Sequence, residues 1–346
     1  MKYFFYLLLF SILSLTGFSE ENVRVKIIDV GAGLACIIKA TDDDGKNHYV
    51  IYDTGNSLVA FEQMKKFTGD TKLVDFLIIS HVDTDHLRST RKVVDHYRIK
   101  NILHTGFQKN KNKATWEKAM EAISDEVKNG AKEYNQLTSP MKIGHTFKVG
   151  PAEFTLLSGF GQYPSDWEVV PDSESLNAVS IVLKLGYKDK TILFTGDAVG
   201  RYEDKDFRHC IATEKFLIKN NKDNRSIKAD VLIAPHHGGN DCSSFDFIET
   251  VQPRHVIYSA GSMYNHPNLK TVTRYMDWAK SKDKKMYLYR TDYGDNKDGV
   301  LEWKIVEAMD GDEKNDDHIF ININKDGVLQ VNYDKGSDGK PFDATK

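Results

Sequence analysis

Four side chains of metal-binding type occur within six residues of this sequence, directly after a continuous apolar run. The run spans residues 74–80 and favours a buried β-strand. The four side chains are His81, Asp83, Asp85 and His86. A loop at a strand end can bring such side chains around one point, and imidazole together with carboxylate suits zinc, manganese or iron. The alternative is a solvated turn in which an aspartate caps the next helix, but this density of ligands favours a metal site.

Other predicted strands also end in histidine or aspartate. Asp53 follows a strand predicted at 48–52, Asp197 follows 192–194, His236 and His237 follow 231–233, and His266 comes after 255–259. Each of these residues alone has an ordinary explanation, such as closing a turn or opening a helix. Because neighbouring strand ends meet at one edge of a sheet, the set together predicts a convergent site. Strands cluster in both halves of the chain with helices between them, which predicts two sheets with helices outside.

The first residues are not expected to belong to this fold. Residues 1–19 combine a weakly positive start, an apolar stretch and small residues at Gly17 and Ser19, which is typical of a cleaved secretory signal peptide. The alternative is an uncleaved anchor, but the apolar stretch is short for a membrane span. We therefore expect an exported protein, periplasmic or secreted, with no stable membrane insertion after cleavage. Residues 20–308 are expected to form the main domain. Residues 309–346 are expected to form a polar C-terminal extension, a hairpin followed by a disordered end.

Charge and cysteine content exclude two other classes of protein. The 346 residues include 47 Lys and Arg against 50 Asp and Glu, which excludes a strongly basic, histone-like nucleic-acid binder. A local basic groove is still compatible with this balance, and residues 107–113 and 215–228 are candidates for lining one. Three cysteines, Cys36, Cys210 and Cys242, are too few for a disulfide framework, although one disulfide with one free thiol stays open.

Seven segments, in chain order, resemble the metallo-β-lactamase superfamily, and most of all the hydrolase domain of ComEC-type competence proteins. These segments are Asp29–Gly33 (D-V-G-x-G), Tyr52–Gly55 (D-x-G), Ser80–His86 (S-H-x-D-x-D-H), Asn177–Leu183 with Leu193–Ala198 (N-x-x-S, then L-x-T-G-D-A), Pro235–Gly238 (P-H-H-G), His266-Pro267 (G-H-P) and Tyr289–Asp292 (T-D-x-G). The match runs from about residue 23 to about residue 306, and its shared order makes it specific.

The resemblance implies an α/β fold, the four-layer αβ/βα sandwich of this superfamily, over 20–308, with the site along one edge of its two sheets. It implies one or two divalent metal ions. The implied ligands are His81 and Asp83 for the first metal, Asp85 and His86 for the second, Asp197 between them, and His236 to complete the second, with His237 as the alternative to His236. His266 is expected near the scissile bond, and Asp53 is expected to support the ligands from behind.

The sequence also departs from the wider superfamily. Asp83 stands where the common loop has its second histidine, and Asn177 stands near the place of the first metal's third histidine. Both changes make the first position richer in oxygen, which shifts preference from zinc toward manganese or magnesium. We therefore expect manganese or zinc, with magnesium as a third option, and a single-metal enzyme stays open.

The expected chemistry is hydrolysis. A divalent metal activates water near neutral pH, and a pair of metals suits phosphodiester displacement. Asp85 and Asp197 are expected to orient the attacking water, and His266 to assist the leaving oxygen. The resemblance favours a phosphodiester substrate, with DNA as a candidate. The alternatives are a lactonase or β-lactamase-like hydrolase, which the missing histidines disfavour, and a binding protein that has lost turnover. The sequence does not indicate the oligomeric state.

Overall fold

The computed structural model describes residues 21–108, 113–264, 266–293, 316–337 and 339–345. The predicted signal peptide therefore lies outside the described residues. In the described part of the chain, no helix is both long and apolar enough to cross a membrane.

Eight strands form each of two mixed sheets. The first sheet contains β1 (Glu21–Ile27), β2 (Ala35–Thr41), β3 (Asn47–Thr54), β4 (Leu73–Ile79), β5 (Arg98–His104), β6 (Lys132–Asn135), β14 (Ile319–Asn324) and β15 (Leu329–Tyr333). The second contains β7 (Thr146–Val149), β8 (Ala152–Ser158), β9 (Val182–Tyr187), β10 (Lys190–Phe194), β11 (Val231–Ile233), β12 (His255–Tyr258), β13 (Tyr287–Arg290) and β16 (Phe342–Asp343).

Eight α-helices accompany the sheets in the described residues: α1 (Leu58–Thr68), α2 (Thr84–Leu87), α3 (Thr90–His96), α4 (Lys113–Lys128), α5 (Asp172–Ala178), α6 (Ala212–Lys219), α7 (Phe245–Val251) and α8 (Leu269–Ser281). Short 3₁₀ turns lie at Asp223–Arg225, Pro235–Gly238 and Ser262–Tyr264. The longer helices are amphipathic. Trp116, Ala119 and Ile123 of α4 are buried at helical spacing, as are Val272, Tyr275 and Ala279 of α8.

Three apolar layers hold the architecture together. The central layer lies between the two sheets and combines side chains such as Val25, Tyr52 and Phe194. A second layer packs α1, α3 and α4 on the first sheet, and a third packs α6, α7 and α8 on the second sheet. The order of layers is therefore helix, sheet, sheet, helix, and the predicted four-layer αβ/βα sandwich is confirmed.

Parallel pairing positions the candidate site. In the first sheet β3, β4, β5 and β6 run parallel, and in the second sheet β10, β11, β12 and β13 do so. The carboxyl ends of parallel strands share one edge of a sheet. The residues that follow β3, β4, β10, β11 and β12 consequently come together there. Apart from Asp75, β4 is apolar because, as a central parallel strand, it is covered on both faces.

The C-terminal residues differ from the expected polar extension. β14 and β15 do pair as a hairpin, but β14 also pairs with β1, so the hairpin forms one end of the first sheet. Ile319, Ile321 and Ile323 are fully buried and alternate along β14 into the central layer. β16 pairs with β13 in place of the expected disordered end, because β13 offers it an open edge. Residues 300–306 also predict a strand, but this segment and the predicted boundary at 308 lie outside the described residues.

Candidate metal centre

Strand ends bring most of the predicted ligands to one point. His81 follows β4, Asp85 and His86 lie on the short helix α2, and Asp197 follows β10. His237 lies in the 3₁₀ turn after β11, and both it and His236 adopt left-handed backbone angles, with φ of 54° and 46°. Two consecutive non-glycine residues in this region are strained. This strained turn follows β11 of the second sheet and places both imidazole rings at the site.

His86 and His237 present the same ring nitrogen to each other. The Nδ1 of His86 lies 2.8 Å from Oδ2 of Asp53, and the Nδ1 of His237 lies 2.7 Å from the carbonyl oxygen of Ser259. Carboxylate and carbonyl oxygens only accept hydrogen bonds, so each Nδ1 is the donor. In its neutral form, each ring would therefore direct the lone pair of Nε2 at the other ring, and the two Nε2 atoms lie 3.1 Å apart.

A serine sets the third imidazole in the same way. Ser80 donates two hydrogen bonds to the carboxylate of Asp53, from its backbone N–H to Oδ1 and from its hydroxyl to Oδ2, at 2.7 Å each. Because the Ser80 hydroxyl donates to Asp53, its oxygen accepts from Nδ1 of His81 at 3.0 Å. The Nε2 of His81 then carries a lone pair, and this fully buried atom has no hydrogen-bond partner among the described residues.

Carboxylate oxygens surround these three nitrogens. Asp197 lies 3.1 Å from Nε2 of His86, 3.4 Å from Nε2 of His237 and 3.7 Å from Nε2 of His81. Asp85 lies 3.5 Å from Nε2 of His237 and Asp83 3.9 Å from Nε2 of His81. A tetrahedral ion with bonds of about 2.1 Å separates its ligands by roughly 3.4 Å. The donor set therefore has the spacing and the chemistry of a divalent metal site, with two compact groups centred on His86.

The pKa values of the histidines also indicate that the carboxylates at this site favour a positive charge. Burial acts to lower the pKa of His86, but Asp197 and Asp53 raise it well above its usual value. Burial also acts to lower the pKa of His237, but the charge of Asp197 outweighs it and raises this pKa to about 9. Without a metal, protons thus take the place of the cation. Burial and the neighbouring His86 lower the pKa of His81, which keeps its Nε2 available as a ligand.

His236 is oriented differently from His237. Its Nδ1 lies 2.8 Å from the carboxylate of Asp241, and its Nε2 lies 3.1 Å from Nδ2 of Asn177 and 3.8 Å from Asp197. It falls outside both compact ligand groups found among the described residues, whereas His237 belongs to one of them. The sequence-based preference for His236 thus differs from the geometry, because neighbouring residues in one turn cannot be ranked as ligands without their Nδ1 partners.

His266 lines the cleft above these residues. Its ring centroid lies 5.5 Å from that of His236 and stacks on that of His237 at 6.1 Å. Burial, with added repulsion from the neighbouring imidazoles, lowers the pKa of His266 to about 4, so it is neutral near pH 7. The cleft has a volume of about 540 Å³, and Arg88 is the one Lys or Arg among the described residues that line it.

Sequence reasoning missed the groups that orient the ligands from behind. Ser80, Ser259 and Asp241 hold Nδ1 atoms of three histidines, and Glu214 holds the loop of Asp241 by accepting from the backbone N–H of Ser244 at 2.9 Å. Only Ser80 carried a signal, as the residue that directly precedes His81. The other contacts join residues from different turns and helices, so no local spacing reveals them.

No described residue of either predicted basic stretch lines the cleft. Residues 109–112 of the first stretch lie outside the described residues, and in the second stretch Lys215 pairs with Glu168. No described residue of 215–228 lines the cleft. All three cysteines are free thiols, and Cys36 and Cys242 are buried.

Comparison with known proteins identifies relatives of this chain. The family described as "Metallo-beta-lactamase superfamily" matches residues 30–261. ComE operon protein 3 of Bacillus subtilis (strain 168) is 26% identical over 269 residues, which cover 72% of this chain and 30% of that protein. The chain therefore spans about a third of the length of this curated relative.

Solved structures with the same general layout are more distant. The diiron β-hydroxylase CmlA from Streptomyces venezuelae is 12% identical, with a TM-score of 0.42, covering 77% of this chain and 52% of that one. Zn²⁺-bound PqqB from Methylobacterium extorquens is 11% identical, with a TM-score of 0.36, covering 61% of this chain and 71% of that one.

Proposed function

The chain belongs to the metallo-beta-lactamase superfamily, in its ComEC-type branch, and from this premise we propose that it is an exported, metal-dependent phosphodiesterase. One observation carries the proposal. Three imidazole lone pairs and the carboxylates of three aspartates converge at one edge of the two sheets, each imidazole fixed through its Nδ1 atom. Such a buried set of donors requires a cation.

We assign the ligands in two groups. His81, Asp83 and Asp197 would hold a first metal, and Asp85, His86 and His237 a second, with Asp197 between the two. The distances of 3.1–4.0 Å among their donor atoms support this assignment. His237 replaces His236 as the proposed ligand. The mixture of nitrogen and oxygen donors suits manganese or zinc, with magnesium as a third option.

The chain's own residues would organise the reaction around that centre. When bound, a divalent metal lowers the pKa of water and neutralises charge on a phosphoryl oxygen. Asp85 and Asp197 would orient the attacking water, because their carboxylates lie at the floor of the cleft. His266 is neutral and can donate one hydrogen bond to the leaving oxygen. Arg88 would bind the charged oxygen of a phosphate next to the scissile one.

The oxygen-rich first position favours a phosphodiester over a lactone or a β-lactam. Asp83 and Asn177 stand where the wider superfamily resemblance implies histidines, and hard oxygen ligands favour the metals that act on phosphates. The ComEC-type branch favours DNA as the phosphodiester. This chain matches 30% of the curated relative, so a DNA substrate is part of our proposal for this chain. Export rests on the signal-peptide pattern of residues 1–19.

The proposal is tested with the purified chain, stripped of metal and then supplied with Mn²⁺, Mg²⁺ or Zn²⁺. Hydrolysis of bis-p-nitrophenyl phosphate and of single-stranded DNA is measured for the wild type, for His81→Ala and Asp197→Ala, and for Asp75→Asn. Asp75 is a buried aspartate that accepts from Tyr49 and Lys100 away from the site, so its variant controls for folding.

We expect activity that depends on metal, survives in Asp75→Asn and is lost in both site variants. Metal binding without hydrolysis of either substrate would contradict the phosphodiesterase and make lactones the next substrates to try. Absence of metal binding would contradict an enzyme of this class and favour the binding-protein alternative.

A further inference from the structure

A second cavity lies beside the metal cleft and shares a wall with it. This cavity also measures about 540 Å³, and Glu203 and Asn240 line both spaces. The side-chain carbonyl of Asn240 accepts from Arg201 at 3.0 Å and from Arg274 at 3.1 Å, which fixes the shared wall in place. A chain-like substrate lying in the metal cleft would therefore meet this second space next.

Apolar side chains line the second cavity, which we call the aromatic groove and define by the exposed Phe207 and Leu269 and the buried Phe245. The side chain of Phe207 is 44% exposed and that of Leu269 is 39% exposed. The ring of Phe207 is braced edge-to-face on Phe245, with centroids 5.5 Å apart and an angle of 69°. The guanidinium carbon of Arg208 also lies 5.6 Å from the centroid of the Phe207 ring. Phe245 and Arg208 therefore hold this ring in place, and its exposed part stays open to a ligand.

The groove is also more basic than the metal cleft. Its lining has four basic side chains against three acidic ones, whereas Arg88 is the one Lys or Arg in the described lining of the cleft. Arg201 and Arg274 are buried, and their hydrogen bonds go to neutral oxygens rather than to carboxylates. The carboxylate of Glu214 lies near Arg274 and offsets part of its charge, so Arg201 is the buried cation that acts most directly on the groove. Lys270 adds an exposed cation at the rim.

We infer that the aromatic groove binds a base of single-stranded nucleic acid next to the scissile phosphodiester, with that base stacked on Phe207. The inference rests on the proposed function and deepens it by assigning a subsite outside the metal cleft to one base of the strand. Continuity with the cleft supplies the position, the open ring of Phe207 supplies a stacking platform, and the buried arginines supply attraction for the backbone. The combination of aromatic ring and cation is how proteins hold single strands without reading their sequence.

The test compares a substrate that reaches the groove with one that does not. Wild type, Phe207→Ala, Phe207→Tyr and Leu58→Ala are assayed on octathymidylate, on the same octamer with abasic sites, and on methyl p-nitrophenyl phosphate. Leu58 is an exposed leucine at the start of α1 and serves as the matched truncation elsewhere on the surface. Binding of fluorescent octathymidylate to each protein is measured in parallel by anisotropy with metal removed by chelation.

We expect Phe207→Ala to lower kcat/KM for octathymidylate by about 10-fold, mainly through KM, and to weaken its binding similarly, since one stacked base is lost. The kcat/KM of Phe207→Ala for methyl p-nitrophenyl phosphate should equal that of the wild type. Phe207→Tyr should restore the wild-type kcat/KM for octathymidylate, and Leu58→Ala should match the wild type on every substrate. Wild type should process the abasic octamer no better than Phe207→Ala processes the intact one.

The outcomes separate this inference from the proposed function. If Phe207→Ala changes neither substrate, or lowers both equally, the groove is not a base site, although the phosphodiesterase stands. If the wild type hydrolyses nothing, the proposed function fails, and the anisotropy measurement then decides whether the groove binds a base. Binding that weakens in Phe207→Ala would support the groove, and binding that is absent or unaffected would overturn it.

Discussion

Asp53 is the residue through which the candidate metal site is most sensitive to a small change. Its buried carboxylate accepts three hydrogen bonds, from the backbone N–H and the hydroxyl of Ser80 and from Nδ1 of His86. Substitution Asp53→Asn preserves the size of the side chain, and asparagine tolerates the left-handed backbone angle found here, with φ of 59°. Any effect on metal binding would therefore come from hydrogen bonding and charge.

The amide cannot satisfy all three donors. If its oxygen accepts from the N–H of Ser80, its NH₂ group faces Nδ1 of His86, and that nitrogen must give up its proton. The proton then moves to Nε2, which is the atom that faces Asp197 and His237. Loss of one charge-assisted hydrogen bond costs about 1.5–3 kcal/mol, which corresponds to a roughly 10- to 150-fold loss of metal affinity.

The measurement is Mn²⁺ affinity, determined by calorimetry or by competition with a chelating dye, for wild type, Asp53→Asn and Asp75→Asn. Asp75 is the matched control because its buried carboxylate also accepts from a backbone N–H, that of Tyr49, on the same sheet. We expect weaker binding in Asp53→Asn alone, with circular dichroism unchanged. Affinity within two-fold of wild type in Asp53→Asn, or an equal loss in Asp75→Asn, would refute the reasoning about Nδ1 atoms.

Two further predictions follow from the same geometry and from a buried histidine away from it. His237→Ala should weaken metal binding beyond the roughly 100-fold typical of supporting partners, whereas His236→Ala should weaken it less than about 10-fold; equal losses in the two variants would contradict the ligand assignment. Burial, aided by Lys26, lowers the pKa of His318 from 6.5 to about 3, while its Nδ1 accepts from the N–H of Asp29 at 3.1 Å. The unfolded chain therefore takes up a proton below pH 6.5 that the folded chain refuses, so stability falls with pH from 6.5 toward 3 and is unaffected above 6.5. At pH 4.5 the loss from this group is about 2–3 kcal/mol, and His318→Asn, which keeps an acceptor for Asp29, should recover it in urea unfolding compared at pH 7.5 and 4.5; an acid loss identical to that of the wild type would show that another group is responsible.

The sequence predicted the layers of the fold because the elements nearest the site are locally strong. β4 is apolar apart from Asp75, and residues 114–129 show a helical spacing, so the strand predicted at 74–80 and the helix predicted at 114–129 lie within one residue of β4 and α4. The segment 158–175 is rich in Gly, Pro and Ser, which predicts a loop, whereas the helix α5 begins within it at Asp172. β14 was seen only as half of a hairpin, because its pairing with β1 closes a separation of about 300 residues.

The ligands could be predicted as a set, but not their individual roles. His81, Asp85, His86 and Asp197 each follow a strand with a clear signal, and parallel pairing brings such ends together by a general rule. What decides whether an imidazole binds a metal is the partner of its other nitrogen. For His237 that partner is a carbonyl oxygen 22 residues away, and for His236 it is the carboxylate of Asp241. A carbonyl is compatible with any side chain, so no sequence pattern identifies it.

Metal binding and substrate selection depend on different parts of this fold. The metal-binding residues lie at strand ends, where backbone pairing fixes their positions to within a hydrogen bond. The aromatic groove is built instead from Phe207 in the loop before α6 and from Phe245 and Leu269 at the beginnings of α7 and α8. Loops and helix ends on the second sheet can change without moving β10 or β11. Substrate preference in this chain is therefore expected to depend on the segments that carry Phe207, Phe245 and Leu269, and mutations of these three residues should alter KM for a nucleic-acid strand while metal affinity stays constant.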